Sequence, residues 1–180
     1  MSAELGKVVS DLVLSHLREV QDFPEEGVLF RDITPLLADR EAFAKLIELL
    51  ADHYRGRIDA VAGLESRGFI LAAPLATALG IGMITVRKGG KLPGPVIGID
   101  YDLEYGSARM ELNPGLVREG ARVLVVDDVL ATGGTAAASV KLIEQCGAKV
   151  EAVAILLELE ALKGRTKLEP HVKVETAVVF

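Results

Sequence analysis

The stretch Val123-Leu-Val-Val-Asp-Asp-Val-Leu-Ala-Thr-Gly-Gly-Thr135 constrains this chain more than any other. Its aliphatic run, Val123 to Val126, predicts a strand buried on both faces, as a parallel sheet requires. Asp127 and Asp128 follow at the predicted carboxyl end of that strand, the edge at which open α/β sheets bind ligands. The small residues Thr132-Gly133-Gly134-Thr135 then open a helical pattern. Glycine lets a backbone approach a ligand closely, and a helix N-terminus favours negative charge. One loop thus offers a phosphate cradle beside two carboxylates that would repel phosphate. Those acids must serve another part of the same ligand, and hydroxyls are the natural choice. A sugar phosphate satisfies both halves. The competing structural reading is an acidic strand–helix turn capped by Thr132 or Thr135. The paired acids and the buried strand favour the ligand.

Two commoner nucleotide motifs are excluded. No Lys follows Gly134, as a P-loop requires, and no Gly-x-Gly-x-x-Gly follows the strand. At 180 residues the chain is read as a single domain, residues 1–180, large enough for a real core. Half its residues are hydrophobic and Trp is absent, so that core is aliphatic. A net charge of −6 argues against a general nucleic-acid or anionic-membrane surface. The single cysteine, Cys146, excludes an internal disulfide framework and suits a reducing compartment. It falls on an apolar helix face, which favours packing over reactivity. Glu4 and Asp11 interrupt the N-terminus where a signal peptide needs an apolar core, so a cytoplasmic location is expected. No apolar run approaches the ~18 residues of a membrane helix. The three histidines have no metal-ligand spacing.

Periodicity predicts a helix over residues 3–20, with Leu5, Val8, Val9, Leu12 and Leu17 as its apolar stripe, then a loop over 21–30. Phe43, Leu46, Ile47 and Leu50 mark a second helix, and residues 59–63 a short strand. Residues 68–79 read as helical despite Pro74, and 81–86 as the next strand. Residues 88–113 are rich in Gly, Pro and charge, and long loops of this kind tend to be lids. Ala136, Val140 and Ile143 share a helix face that Gly147 ends. Strands are expected at 150–157 and 177–180. The alternation implies an α/β fold with a mainly parallel, doubly wound sheet.

Gly63-Leu-Glu-Ser-Arg-Gly-Phe69 repeats the strand–turn–helix idea, and Arg67 could hold a second anion with its planar fork. Alone it reads equally well as an ordinary connection. Two such loops at one sheet edge suit a ligand with separated phosphates. Arg87, Lys88 and Lys91, within Arg87-Lys-Gly-Gly-Lys-Leu-Pro-Gly-Pro95, would otherwise be a solvated charge run. In an acidic chain with two anion loops they read as a pyrophosphate clamp.

The segment 125–135 resembles the phosphoribosyl-pyrophosphate (PRPP) motif of type I phosphoribosyltransferases. The resemblance extends further. Asp22-Phe-Pro-Glu-Glu-Gly-Val-Leu-Phe-Arg-Asp-Ile-Thr-Pro35, Gly63 to Phe69, Arg87 to Pro95, Leu103-Glu-Tyr-Gly106, the PRPP motif and Leu162-Lys-Gly164 occur here in the order found in adenine phosphoribosyltransferases. The first of these and the Leu-Glu-Tyr-Gly loop are what point to adenine. The resemblance implies the salvage reaction of adenine with PRPP and Mg²⁺, giving AMP and pyrophosphate. It implies that Asp127 and Asp128 hold the ribose hydroxyls and that Ala131, Thr132, Gly133, Gly134 and Thr135 bind the 5′-phosphate. Glu65, Ser66 and Arg67 would form the pyrophosphate loop, with a non-proline cis peptide common in the family. Glu65 stands where some members carry Asp. Lys88 and Lys91 would meet pyrophosphate, while Arg87 would reach a neighbour's site in a homodimer. Leu29 and Arg31 would read the adenine edge through main-chain groups, with Phe30 buried nearby and Leu159 over the base. Glu104 and Tyr105 would lie in the closing loop, Glu104 steering the proton lost by adenine. The metal would be carried by PRPP and water, with no direct protein ligand. The N-terminal ~35 residues and the C-terminal segment would form a hood over the base.

Two other readings remain open on the residues. One is a phosphoribosyltransferase for another purine; such relatives present a Lys or Arg to a 6-oxo group from the strand after the PRPP helix, where this chain has Val153-Ala-Ile-Leu-Leu157. The other is a PRPP-binding regulator without catalysis, which needs a basic DNA-binding region that this acidic chain has no room for.

Overall fold

The computed structural model describes residues 4–102 and 106–180. A seven-stranded sheet, order β5-β6-β4-β3-β7-β8-β9, forms its centre. β3 (Ala60–Leu64), β4 (Gly82–Lys88), β7 (Arg122–Leu130), β8 (Lys149–Glu158) and β9 (Val174–Val179) are parallel, as the sequence predicts. Alternation along β7 splits the core in two. Leu124 and Val126 face one side, with α1 (Lys7–His16), α3 (Arg40–Tyr54) and α4 (Arg67–Leu79); Val123 and Val125 face α5 (Gly134–Gln145) on the other.

Local chemistry sets the helix bounds. Asp39 caps α3 by accepting from the Glu41 and Ala42 N–H groups at 3.0 and 2.8 Å. Its stripe buries Leu46 and Leu50, each contributing about 1.5–3 kcal/mol. α4 runs through Pro74 as expected and stops at left-handed Gly80. Glu175, fully buried in β9, accepts from Tyr54 Oη at 2.5 Å and so pins α3 to the sheet edge.

Four expectations need correction. The first helix covers only 7–16. Arg18–Gln21 instead forms β1, antiparallel to β2 (Leu29–Asp32), in a separate two-stranded sheet. Arg18 Nη2 meets the buried Asp32 carboxylate at 2.6 Å across that pair, a partnership no helical stripe reveals. Residues 88–113 are not one loop. They contain β5 (Ile97–Asp102) and β6 (Ser107–Leu112), an antiparallel pair that adds to the β4 edge. β7 continues to Leu130, so Asp127 and Asp128 lie inside the strand rather than beyond its end. The last strand begins at Val174 rather than near Ala177.

Candidate active site

β3 pairs in parallel with β4 on one side and β7 on the other, so the strand order reverses between β3 and β7. The crevice outside such a reversal is where open α/β sheets hold ligands. Gly63 is level with Val126, which brings the loop after β3 beside the paired acids of β7. Gly68, in the first turn of α4, makes that approach possible. A Cβ there would lie 2.5 Å from the Val126 carbonyl oxygen and 3.2 Å from Asp127 Oδ1.

The acids are not the solvent-edge carboxylates their turn position suggested. Asp128 is 4% exposed and Asp127 only partly exposed. Burial pushes the Asp127 pKa well above the ordinary value, and the Asp128 carboxylate beside it pushes the same way. Burial also raises Asp128, while the charge of Arg67 pulls it down. Arg67 Nε lies 2.9 Å from Asp128 Oδ2. The pair is ionic rather than aligned: Oδ2 is buried and has no hydrogen-bond donor in line among the described residues. The Arg67 guanidinium also lies 5.7 Å from the Phe30 ring centroid. Arg67 therefore stands between the acid pair and β2.

Gly133, at φ 77°, is the N-cap of α5, with no side-chain cap hydrogen bond. Neither Thr132 nor Thr135 caps the helix with its side chain, contrary to the capped-turn reading. The first N–H groups of α5 have no intrahelical acceptor. Asp127 and residues 129–136 line a cavity of about 100 Å³ there. Behind the turn, Gly164 packs so closely that a Cβ on Gly133 would run into the Gly164 carbonyl.

Glu65 gathers the proposed clamp. Lys91 Nζ meets Glu65 Oε1 at 2.8 Å, the Lys88 backbone N–H donates to Oε2 at 2.8 Å, and Arg87 donates from Nε and Nη2 at 3.3 and 3.2 Å. Burial would raise the Glu65 pKa, but the Lys91, Lys88 and Arg87 donors bring it down to about 2. Arg87 Nη1 donates to the Lys91 carbonyl at 3.2 Å, so all three Arg87 nitrogens are engaged within this chain. The Glu65–Ser66 peptide is cis, and Ser66 is exposed.

On the base side, β2 presents Leu29, Phe30 and Arg31. Leu29 is exposed. Phe30 is half-buried, not buried as expected, because its ring meets the exposed Phe23 edge-on, centroids 5.1 Å apart. Leu159 follows β8, and its N–H donates to the Leu130 carbonyl at 2.9 Å. Glu104 and Tyr105 lie outside the described residues.

Three residues at the site escaped sequence reasoning. Tyr101 Oη lies 2.9 Å from Thr135 Oγ1, and a Cβ on Gly134 would fall 2.7 Å from the Tyr101 ring. Gly164 supports the phosphate turn from behind; its motif gave a resemblance but no role. Phe180 carries the Arg31 guanidinium on its ring, 3.8 Å from the centroid. An aromatic in the last strand pattern reads as core, and nothing local signals its partner.

Residues 33–178 match the phosphoribosyl transferase domain family. The chain is 57% identical to an adenine phosphoribosyltransferase of Streptomyces coelicolor over 164 residues, 90% of each. Its fold is similar to the adenine phosphoribosyltransferase of Thermoanaerobacter pseudethanolicus, with TM-score 0.89 and 44% identity over 95% of this chain and 99% of that one. The Saccharomyces cerevisiae enzyme, solved with adenine and an imino-altritol bisphosphate, gives TM-score 0.90 and 39% identity over 95% and 99%. On these matches, which span nearly the whole chain, it belongs to the adenine phosphoribosyltransferase family.

Proposed function

We infer that this chain transfers the 5-phosphoribosyl group of PRPP to N9 of adenine, giving AMP and pyrophosphate in purine salvage. The observation that carries this reading is Asp128 Oδ2, buried and without an aligned donor, in the strand that leads into the uncapped glycine turn at the start of α5. Ribose hydroxyls are donors of the right kind for Asp127 and Asp128, and they come attached to a 5′-phosphate that Ala131 to Thr135 can hold.

The C1–pyrophosphate bond breaks with its electron pair leaving on pyrophosphate, the N9–C1 bond forms, and adenine gives up a proton from its imidazole ring toward the Glu104 carboxylate near N7. The leaving group gathers negative charge, so Arg67, Lys88 and Lys91 stabilise its departure. Arg87 and Glu65 hold Lys91 for that task. The ribose gains positive character, which Asp127 and Asp128 favour electrostatically. Hard oxygen donors beside substrate phosphates suit Mg²⁺. Carried by PRPP and water, Mg²⁺ would add charge neutralisation to the departing pyrophosphate that Arg67, Lys88 and Lys91 hold.

Leu29 and Arg31 read the adenine amino edge through main-chain groups, and Leu159 covers the base. A 6-oxo purine would leave those buried groups unpaired. Glu104 steers the adenine proton, and Tyr105 closes with it over the reacting centre. The 88–113 segment, which carries β5 and β6, serves as the lid that excludes water, and the N-terminal ~35 residues with the C-terminal segment serve as the hood. The working form is a cytoplasmic homodimer in which Arg87 lies near the partner. The test is AMP formation from adenine, PRPP and Mg²⁺, followed by chromatography: AMP appears only with all three, and its absence from the complete mixture removes the reading.

A further inference from the structure

Leu29 and Arg31 offer main-chain groups to the base, so their positions are those of β2 itself. β2 lies in the small two-stranded sheet and shares no ladder with the central one. Besides the chain that runs on into buried Ile33, side-chain contacts must therefore fix its position. Phe180 does this from the far side of the molecule's sequence. Its ring lies under the Arg31 guanidinium, with Cζ 3.8 Å from the centroid. Its N–H donates to the Glu158 carbonyl, and its carbonyl accepts from the Glu160 N–H, each at 2.9 Å. Those two bonds flank Leu159. Phe180 therefore touches β2 with its ring and fixes the Leu159 turn with its backbone.

Arg31 has few competing attachments. Its Nε is buried without a hydrogen-bond partner among the described residues, and the nearest carboxylate, Glu19, stands off at 3.9 Å. The Arg31 side chain is 20% exposed. A weakly hydrated guanidinium stacks well on a ring, and the attraction grows as water is removed.

We propose that Phe180 is a positioning residue of the base site, whose ring holds Arg31 and β2 in register with Leu159 and so sets adenine affinity apart from PRPP affinity. This rests on the adenine-transfer reading above. Phe180→Leu keeps apolar bulk and removes the ring face. It is expected to raise KM for adenine about tenfold while KM for PRPP stays within about twofold. Phe180→Tyr and Phe180→Trp, which keep the face, restore adenine KM. Arg31→Met reproduces the adenine defect, and adding Phe180→Leu to it brings no further rise. Thermal melts run alongside. If Phe180→Leu does not fold, Arg31→Met and Phe180→Tyr carry the test alone. An unchanged adenine KM in Arg31→Met or Phe180→Leu, equal rises in both KM values, or a Tyr variant as defective as Leu overturns the proposal. A wild-type protein that forms no AMP removes the base site itself. An active wild type with an indifferent Phe180 removes only this residue's role.

Discussion

Arg67 Nε lies 2.9 Å from Asp128 Oδ2, and this contact is what compensates the buried acid pair in the protein without substrate. The two partners are unequal, since Asp128 is 5% exposed in its side chain and Arg67 36%. Removing the cation leaves a buried acid; removing the acid leaves a cation that water can reach. Arg67→Met is expected to destabilise by about 1–3 kcal/mol, below the cost of breaking a fully buried pair. Asp128→Asn is expected to be neutral or stabilising by about 1 kcal/mol, yet to lower kcat/KM for PRPP at least about a hundredfold. Urea melts with initial rates check both. A destabilised Asp128→Asn with normal PRPP use would make Asp128 structural.

The acid pair also fixes a pH dependence. Burial and mutual repulsion raise Asp127 above its ordinary value of 3.8. Above that value the unfolded chain has released a proton that the folded chain still binds. Stability therefore falls as pH rises from the ordinary value through the folded one. Asp127→Asn abolishes this loss. Its melting temperature relative to wild type is expected to climb as pH rises above 3.8; a flat difference contradicts the assignment.

Glu65 has the opposite sign. Its donors hold its pKa at about 2, against an ordinary 4.5. Its contribution is complete above pH 4.5 and is lost as pH falls toward 2. Glu65→Gln is expected to narrow the stability gap to wild type in that acid window. At neutral pH it loosens Lys91 and Arg87 and raises KM for PRPP about tenfold. Acid melts and PRPP titrations measure the two effects separately.

Gly134 and Tyr101 supply a steric test of the hairpin's seat. A Cβ at Gly134 would lie 2.7 Å from Tyr101 Cδ2. Gly134→Ala is expected to push β5 off the phosphate turn and raise KM for PRPP about tenfold; Tyr101→Ala in that background removes the clash, so the two changes combine to less than their sum. Additive effects would show that the ring does not govern the turn.

How far these features were legible depends on how local their causes are. The β7 run, the two glycine-marked loops and the stripes of α3 and α5 are written in adjacent residues. The β1–β2 pair is not: Leu17 and Val20 continue a helical stripe, and only pairing with Leu29–Asp32, farther along the chain, makes residues 18–21 a strand. The β5–β6 pair hid inside a Gly- and Pro-rich stretch because β5 is an edge strand with no fully buried residue and only Met110 to Leu112 of β6 reach the core. The burial of Asp128 depends on how closely Gly68 lets α4 approach β7, a tertiary fact. The Arg31–Phe180 stack joins the two ends of the chain and leaves no trace in either.

Pyrophosphate release tests the central claim most directly, with PRPP and Mg²⁺ present and adenine, hypoxanthine, guanine and xanthine supplied one at a time. Release with adenine alone is expected. Release with a 6-oxo purine, or with no base at all, would contradict the adenine site drawn from Leu29, Arg31 and Leu159.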